Sequence, residues 1–391
     1  MARRPSLRQL LPSHARIHRI MSGEDRGPAA VALRGLTLPA TLPYRAAVTG
    51  RNALYAAGIL PTRDLGRPTL SVGNLTAGGT GKTPMVIALA RLLQAMGHRP
   101  AVLLRGYEPK GYESKRGSDE AAELRGSLGG GVPVMPDADR LAGARRVLEQ
   151  HPETSVFLLD DGFQHRRARR DLNLVLVDTL RPFGFDHLLP RGLLREPVSA
   201  LRRADAVILT RTDRAEVTQR ETVSATIRRL TGRSPLAESI HDWSALRLAF
   251  KPYPLERIAQ QAVLGVAGIG NPQDFADRLK QVAGRCVGVL TYDDHYRYSR
   301  DELAGIFSVA LERGAQAVVT TEKDYVKWRT FASGVKARLP VYRPVVALRF
   351  TRGAAELQQL LDQKFPAPPS AATPGVDKTD LKPQMDADER R

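Results

Sequence analysis

Short, nearly unbroken runs of apolar residues alternate along this chain with longer stretches whose apolar positions recur every three or four residues. Runs at 100–104, 155–161, 172–178, 206–210, 262–267, 287–292, 317–320 and 341–350, with shorter ones at 70–72 and 132–135, have the length and composition of strands buried on both faces. Between them, Met85, Ile87, Leu89, Leu92 and Leu93 mark a helix over 82–96 that stops at Gly97. Similar patterns predict helices over 139–150, 301–312 and 354–361. Strand, helix, strand in repeated order builds parallel pairs joined by crossover helices. The fold class expected is α/β: a P-loop NTPase-like, mostly parallel sheet with helices on both faces, plus a smaller C-terminal α/β domain.

The same pattern divides the chain. Residues 1–35 are basic and poor in aromatics, and read as a disordered arm. Over 36–60, Leu36, Leu38, Leu42, Tyr44, Val48, Leu54, Tyr55, Ile59 and Leu60 are interspersed with Arg45 and Arg51. This suits an amphipathic helix lying on an anionic membrane surface, or one packed on its own domain. The main sheet is expected within 61–235, a hinge over 236–262 on account of Pro252 and Pro254, and the second α/β unit over 263–350. A C-terminal helix (351–365) and a disordered tail (366–391) complete the chain.

Composition narrows the partners. A formal charge of +18 over 391 residues implies an anionic partner, whether a phosphorylated substrate, an acidic membrane or nucleic acid. No basic, aromatic-interleaved module or helix-turn-helix pattern accompanies the charge, so nucleic acid is not expected. Cys286 is the single cysteine, which excludes an intramolecular disulfide and a cysteine-based zinc site and fits a reducing compartment. No run of about 18 apolar residues could cross a membrane.

The chemistry concentrates at Ser71-Val72-Gly73-Asn74-Leu75-Thr76-Ala77-Gly78-Gly79-Thr80-Gly81-Lys82-Thr83-Pro84. Strand, glycine-rich turn and helix with Gly-Lys-Thr at the junction form a phosphate cradle: glycines let successive N–H groups face one concavity, Lys82 adds a mobile charge, and the Thr83 hydroxyl can ligate Mg²⁺. Thr76, Ala77, Gly78, Gly79, Thr80, Gly81, Lys82 and Thr83 are therefore the expected ATP-binding segment. The usual spacing has glycine where this chain has Thr76. Dimeric partitioning-type ATPases place a signature lysine where it has Ala77, which argues against a P-loop ATPase switch and for a phosphotransferase.

Asp160 and Asp161 end a buried apolar run, the position from which a carboxylate holds Mg²⁺. Arg105 closes the strand before them, and Arg166, Arg167, Arg169 and Arg170 follow. A kinase also needs a group near the attacking hydroxyl. Asp119 and His295 are the candidates, both read as loop residues at strand ends; spacing alone does not bring them together.

Several blocks occur in one order: the phosphate loop, Arg105-Gly106-Tyr107, Asp160-Asp161-Gly162-Phe163-Gln164-His165, Arg170-Asp171-Leu172, Leu193-Leu194-Arg195-Glu196-Pro197, Gly268-Ile269-Gly270-Asn271-Pro272, Asp294-His295 and Thr320-Thr321-Glu322-Lys323-Asp324. Together they resemble the tetraacyldisaccharide 4'-kinase family over about 36–350. The resemblance implies ATP- and Mg²⁺-dependent phosphorylation of the 4'-hydroxyl of a tetraacylated glucosamine disaccharide 1-phosphate, at the cytoplasmic face of the bacterial inner membrane. It implies that Lys82 and Asp160 act in catalysis, that Thr83, Asp160 and Asp161 hold the metal, and that Asp119 and His295 form an activating dyad. Arg105, Arg167, Arg170 and Glu196 become substrate contacts, and 36–60 a membrane-associated helix. Two departures stand out. The acidic motif reads Ser118-Asp119-Glu120-Ala121, without the family's flanking glycine and proline, and Tyr296 replaces its second histidine.

Overall fold

The computed structural model describes residues 19–106, 112–249, 251–270, 272–293, 296–328 and 339–367, with side chains from 120 onward in the helix that begins at Tyr112. Twelve strands form one sheet: β1 (Thr69–Asn74), β2 (Pro100–Arg105), β3 (Val134–Asp137), β4 (Val156–Asp160), β5 (Leu172–Asp178), β6 (Ala206–Thr210), β7 (Ala237–Leu248), β8 (Lys251–Tyr253), β9 (Ala262–Ala267), β10 (Arg285–Thr291), β11 (Ala317–Thr320) and β12 (Val341–Arg352). Their order is β10-β9-β11-β12-β7-β6-β5-β1-β4-β2-β3, with β8 on β7.

Every pairing is parallel except β7 with β12 and β7 with β8. β1 lies between β4 and β5, with all six of its residues buried, which explains why polar Thr69, Ser71 and Asn74 are the exceptions within an apolar run. Alternate residues serve opposite faces. Val102, Leu104, Val156 and Leu158 pack beneath the helices Lys82–Ala95 and Tyr112–Leu128, whereas Ala101, Leu103, Phe157 and Leu159 pack against Arg140–Gln150. Asp160 continues the even-numbered series and so ends on the side of the phosphate-loop helix.

The two halves are not separate sheets. The stretch read as a hinge opens with β7, which pairs with β12 along Glu238–Leu248 and, at its first residues, with β6 on its other side. Pro252 and Pro254, the signal for a hinge, lie outside that strand, on and beyond the short edge strand β8. The C-terminal helix, Ala354–Lys364, returns to the N-terminal half, where Leu357, Leu361 and Phe365 join the core beside Leu70, Val72 and Leu89. Each such side chain contributes about 1.5–3 kcal/mol by burial.

The N-terminal expectation also needs correction. The helix begins at Pro28 and runs to Ala56, and 19–27 precedes it in ordered contact: Arg34 Nη1 donates to the carbonyls of Ile20 (3.1 Å) and Asp25 (2.6 Å). The disordered-arm reading therefore fails for 19–35, while 1–18 and most of the 366–391 tail lie outside the described residues. Pro39 and Pro43 sit inside this helix, each removing one backbone donor, and its only buried residue is Ala30. Among the described residues no helix is long and apolar enough to cross a membrane.

Candidate active site

The carboxyl ends of β1, β4, β5 and β6 form one edge, and the phosphate loop, Asp160 and Asp161 lie there. β1 ends at Asn74, the loop turns through Gly78 and Gly79, and Gly81 caps the helix Lys82–Ala95 with φ 87°. Gly81 is required for two reasons: its backbone is left-handed, and a Cβ there would lie 2.2 Å from His241 Nε2. Lys82 Nζ donates to Asn74 Oδ1 at 3.2 Å and pairs with Asp161 Oδ1 at 3.4 Å.

The neighbouring acids are electrostatic opposites. Asp160 is buried, and burial pushes its carboxyl up to about 7 against the opposing pull of Lys82; Asp161 and Glu120 add to the rise. Among the described residues its Oδ1 has no hydrogen-bond partner. Asp161 has φ 54° and turns the other way. Arg195 Nη1 donates to both of its oxygens, at 2.9 and 2.7 Å. Burial would raise this carboxyl too, but Lys82 and Arg195 outweigh burial and hold it at about 2. A buried, unpartnered carboxylate oxygen suits a cation, whereas a carboxylate already shared by two cationic side chains has little left to offer. The Asp160 carboxylate therefore fits Mg²⁺, while Asp161 is committed to Lys82 and Arg195. Among the described residues no group of three His, Cys, Asp or Glu could form a metal cage. Mg²⁺ in a kinase commonly relies on one or two carboxylates plus the phosphates.

Local packing explains the blocks around these acids. A Cβ on Gly73 would meet Phe163 Cβ at 2.4 Å, and one on Gly162 would meet Ser71 Oγ at 2.5 Å, so the segment after β4 presses directly against β1. Gln164 Nε2 donates to the Asn74 carbonyl at 2.9 Å. His165 is held neutral, its pKa lowered to about 4 by burial first and then by Arg140 and Arg170. Thr76, where a glycine is usual, forms an antiparallel bridge with Leu194; Ala77 N donates to Leu193 O at 2.7 Å and Arg195 N to Leu75 O at 2.8 Å. The start of the loop is thus strand-like, and a β-branched residue suits it.

Some expected substrate contacts have other duties. Glu196 is fully buried, its Oε2 accepting from Asn52 Nδ2 (2.7 Å) and pairing with Arg203 Nη1 (2.8 Å). With Tyr44 Oη donating to Arg195 O (3.0 Å), it ties the N-terminal helix to the body and has no access to substrate. Arg170 Nη1 donates to the carbonyls of Gly162 and Phe163, at 3.2 and 3.3 Å, and braces the turn after Asp161. Arg167 is exposed, 3.4 Å from Asp139 Oδ2, and Arg105 is exposed at the end of β2.

Asp119 is not in a loop: it belongs to the helix Tyr112–Leu128, whose Glu120 is close enough to raise Asp160. Its side chain and His295 lie outside the described residues. Tyr296, in place of the second histidine, donates to Glu302 Oε1 and packs among Tyr292 and Tyr298. Asp324 of the last block is a buried strut that accepts from Gly268 N (2.8 Å) and Thr321 Oγ1 (2.7 Å).

Sequence reasoning missed Arg195, Arg211 and His241 as participants. Arg195 lay inside a quoted block. Arg211 directly follows a correctly placed strand, and His241 was hidden in the supposed hinge.

A family model for tetraacyldisaccharide-1-P 4'-kinase matches residues 33–366. The tetraacyldisaccharide 4'-kinase of Syntrophus aciditrophicus is 42% identical over 326 residues, covering 78% of this chain and 86% of its own. That of Anaeromyxobacter dehalogenans strain 2CP-1 is 38% identical over 355 residues, covering 87% and 92%. Among solved structures, LpxK from Aquifex aeolicus in complex with ATP superposes with a TM-score of 0.65 at 29% identity, covering 85% of this chain and 99% of that one.

Proposed function

The chain belongs to the tetraacyldisaccharide 4'-kinase family and is an ATP-dependent kinase of lipid A biosynthesis; from its site we propose how it moves the γ-phosphate to the 4'-hydroxyl of a tetraacylated glucosamine disaccharide 1-phosphate. The N–H groups of the loop over 76–83 and the Lys82 ammonium hold the β- and γ-phosphates. Asp160 and Thr83 would hold Mg²⁺, which when bound neutralises charge on the transferring phosphates. Asp161 and Asn74 aim Lys82, and Arg195 fixes Asp161. Asp119, oriented by His295, accepts or steers the proton of the attacking hydroxyl.

The acceptor is a lipid, and the N-terminal helix supports its delivery from an anionic membrane surface at the cytoplasmic face of the inner membrane. Leu36 (75% exposed), Leu42 (66%) and, just past the helix, Ile59 (67%) present apolar area that the fold does not cover. Arg45 on the same helix can meet anionic headgroups.

The observation that carries this reading is the buried Asp160 carboxylate, unpartnered at Oδ1, beside Lys82 at the mouth of the phosphate loop. The test is transfer of labelled γ-phosphate to tetraacyldisaccharide 1-phosphate in detergent. Wild type should transfer, and Lys82→Ala should lose activity on the order of 10²–10³-fold, as for removal of one preorganised donor. Absence of transfer by folded wild type overturns the reading; full activity in Asp119→Ala overturns only the base.

A further inference from the structure

Two groups at the end of β6 reach the phosphate loop from behind, and neither has a part in the transfer described above. Thr210, fully buried, donates from Oγ1 to the Thr80 carbonyl at 3.1 Å. Arg211, the next residue, donates from Nη2 to the Gly79 carbonyl at 2.7 Å. A trans peptide unit points its N–H opposite to its C=O. With the Gly79 and Thr80 carbonyls drawn toward β6, the N–H groups of Thr80 and Gly81 must face the other way, into the concavity of the loop.

Arg211 reaches its acceptor from an unfavourable backbone. Its φ is 59°, a left-handed conformation that a residue with a Cβ adopts at a cost. Glycine would be easier there, so the side chain is what the position needs. The conformation is imposed by the end of β5: Thr179 Oγ1 donates to the carbonyls of Thr210 (2.8 Å) and Arg211 (3.0 Å), and Asp178 Oδ2 accepts from Arg211 Nη1 at 2.8 Å. A further contact comes from the C-terminal half. Asp274, in the first turn of the helix Pro272–Val282, pairs with Arg214 and stands 4.0 Å from Arg211 Nε. That helix follows the Gly268-Ile269-Gly270-Asn271-Pro272 block, for which the phosphate-transfer chemistry has no other use.

We propose that Arg211 is a positioning residue that turns the loop amides toward the nucleotide phosphates, and that Asp274 links this setting to the C-terminal half. The inference rests on the loop being the ATP site. Its test is therefore direct binding of ATP to the full chain, with thermal melting measured on the same samples. Arg211→Gly relieves the left-handed strain but leaves the buried Asp178 without its cation. It should therefore melt below wild type and bind ATP about tenfold more weakly, the scale of one charge-assisted hydrogen bond. Asp178→Asn, which loses the same ion pair but keeps the Arg211 side chain, should also melt lower yet keep ATP affinity within about threefold of wild type. Arg211→Lys, which can still serve one acceptor, should fall between. Asp274→Asn should weaken ATP binding by a smaller factor and add little to Arg211→Gly, because both act through one side chain. ATP affinity in Arg211→Gly within threefold of wild type overturns the proposal, as does a loss of affinity in Asp178→Asn as large as that in Arg211→Gly. An unchanged affinity in Asp274→Asn overturns the link to the C-terminal half. Failure of wild type itself to bind ATP would instead overturn the reading of the loop.

Discussion

The inner side of the phosphate loop, where Asp160 lies, and its outer side, where Asp161 meets Arg195, differ in charge balance more than in composition. On the inner side a buried carboxylate has a cation nearby but an oxygen without a partner. On the outer side the next carboxylate is shared by a guanidinium and an ammonium. One peptide bond separates them, and the left-handed turn at Asp161 sends the second side chain to the opposite side. Adjacent acids at a strand end are thus not a pair of equivalent ligands: one is poised to take up positive charge, and the other is already occupied in placing it.

Substitutions separate the two sides. The largest effect is expected for Asp160→Asn, in which transfer falls on the order of 10²–10³-fold while the melting temperature holds or rises, because a buried acid with no full partner is relieved. Asp161→Asn should do the reverse in emphasis. It leaves Arg195 and Lys82 without their acceptor and should destabilise the fold by about 1.5–3 kcal/mol, with a smaller loss of transfer.

The pH dependence of stability in the metal-free protein sharpens the contrast. The Asp160 carboxyl is raised from 3.8 to about 7, so the folded chain keeps a proton that the unfolded chain gives up. Its contribution is full below about pH 4 and is lost as pH rises to about 7. The Asp161 carboxyl is lowered to about 2, so its contribution is present above about pH 4 and is lost as pH falls toward 2. Denaturant titrations should therefore show Asp160→Asn removing the decline between pH 4 and 7, and Asp161→Asn removing part of the acid-side loss. The smallest effect belongs to Thr76→Gly. The bridge to Leu194 is made by backbone, so the change should cost about 0.5–1 kcal/mol in stability and leave ATP binding intact.

The sequence made the strands legible because parallel strands buried on both faces are written as apolar runs, and it made the loop legible because glycines, Lys82 and Thr83 have a fixed order. The long strand β7 was not legible: His241, Asp242, Ser244 and Arg247 interrupt its apolar residues, and it is flanked by β6 only over its first three residues while antiparallel β12 runs along Glu238–Leu248. The C-terminal helix was found, but nothing in residues 354–361 tells that it packs against β7 in the N-terminal core. Within the site, sequence located both acids and could not rank them, since ranking depends on Arg195, which comes from a segment far along the chain. Glu196 and Arg170 were located as polar residues near the chemistry, yet their partners, Asn52, Arg203 and the carbonyls after β4, are visible only in three dimensions.

The division of labour between the acids is tested most directly by the Mg²⁺ dependence of ATP binding in wild type, Asp160→Asn and Asp161→Asn. Mg²⁺ should tighten ATP binding in wild type and in Asp161→Asn, and should have little effect in Asp160→Asn. Loss of the Mg²⁺ effect in Asp161→Asn, with its retention in Asp160→Asn, would contradict the assignment.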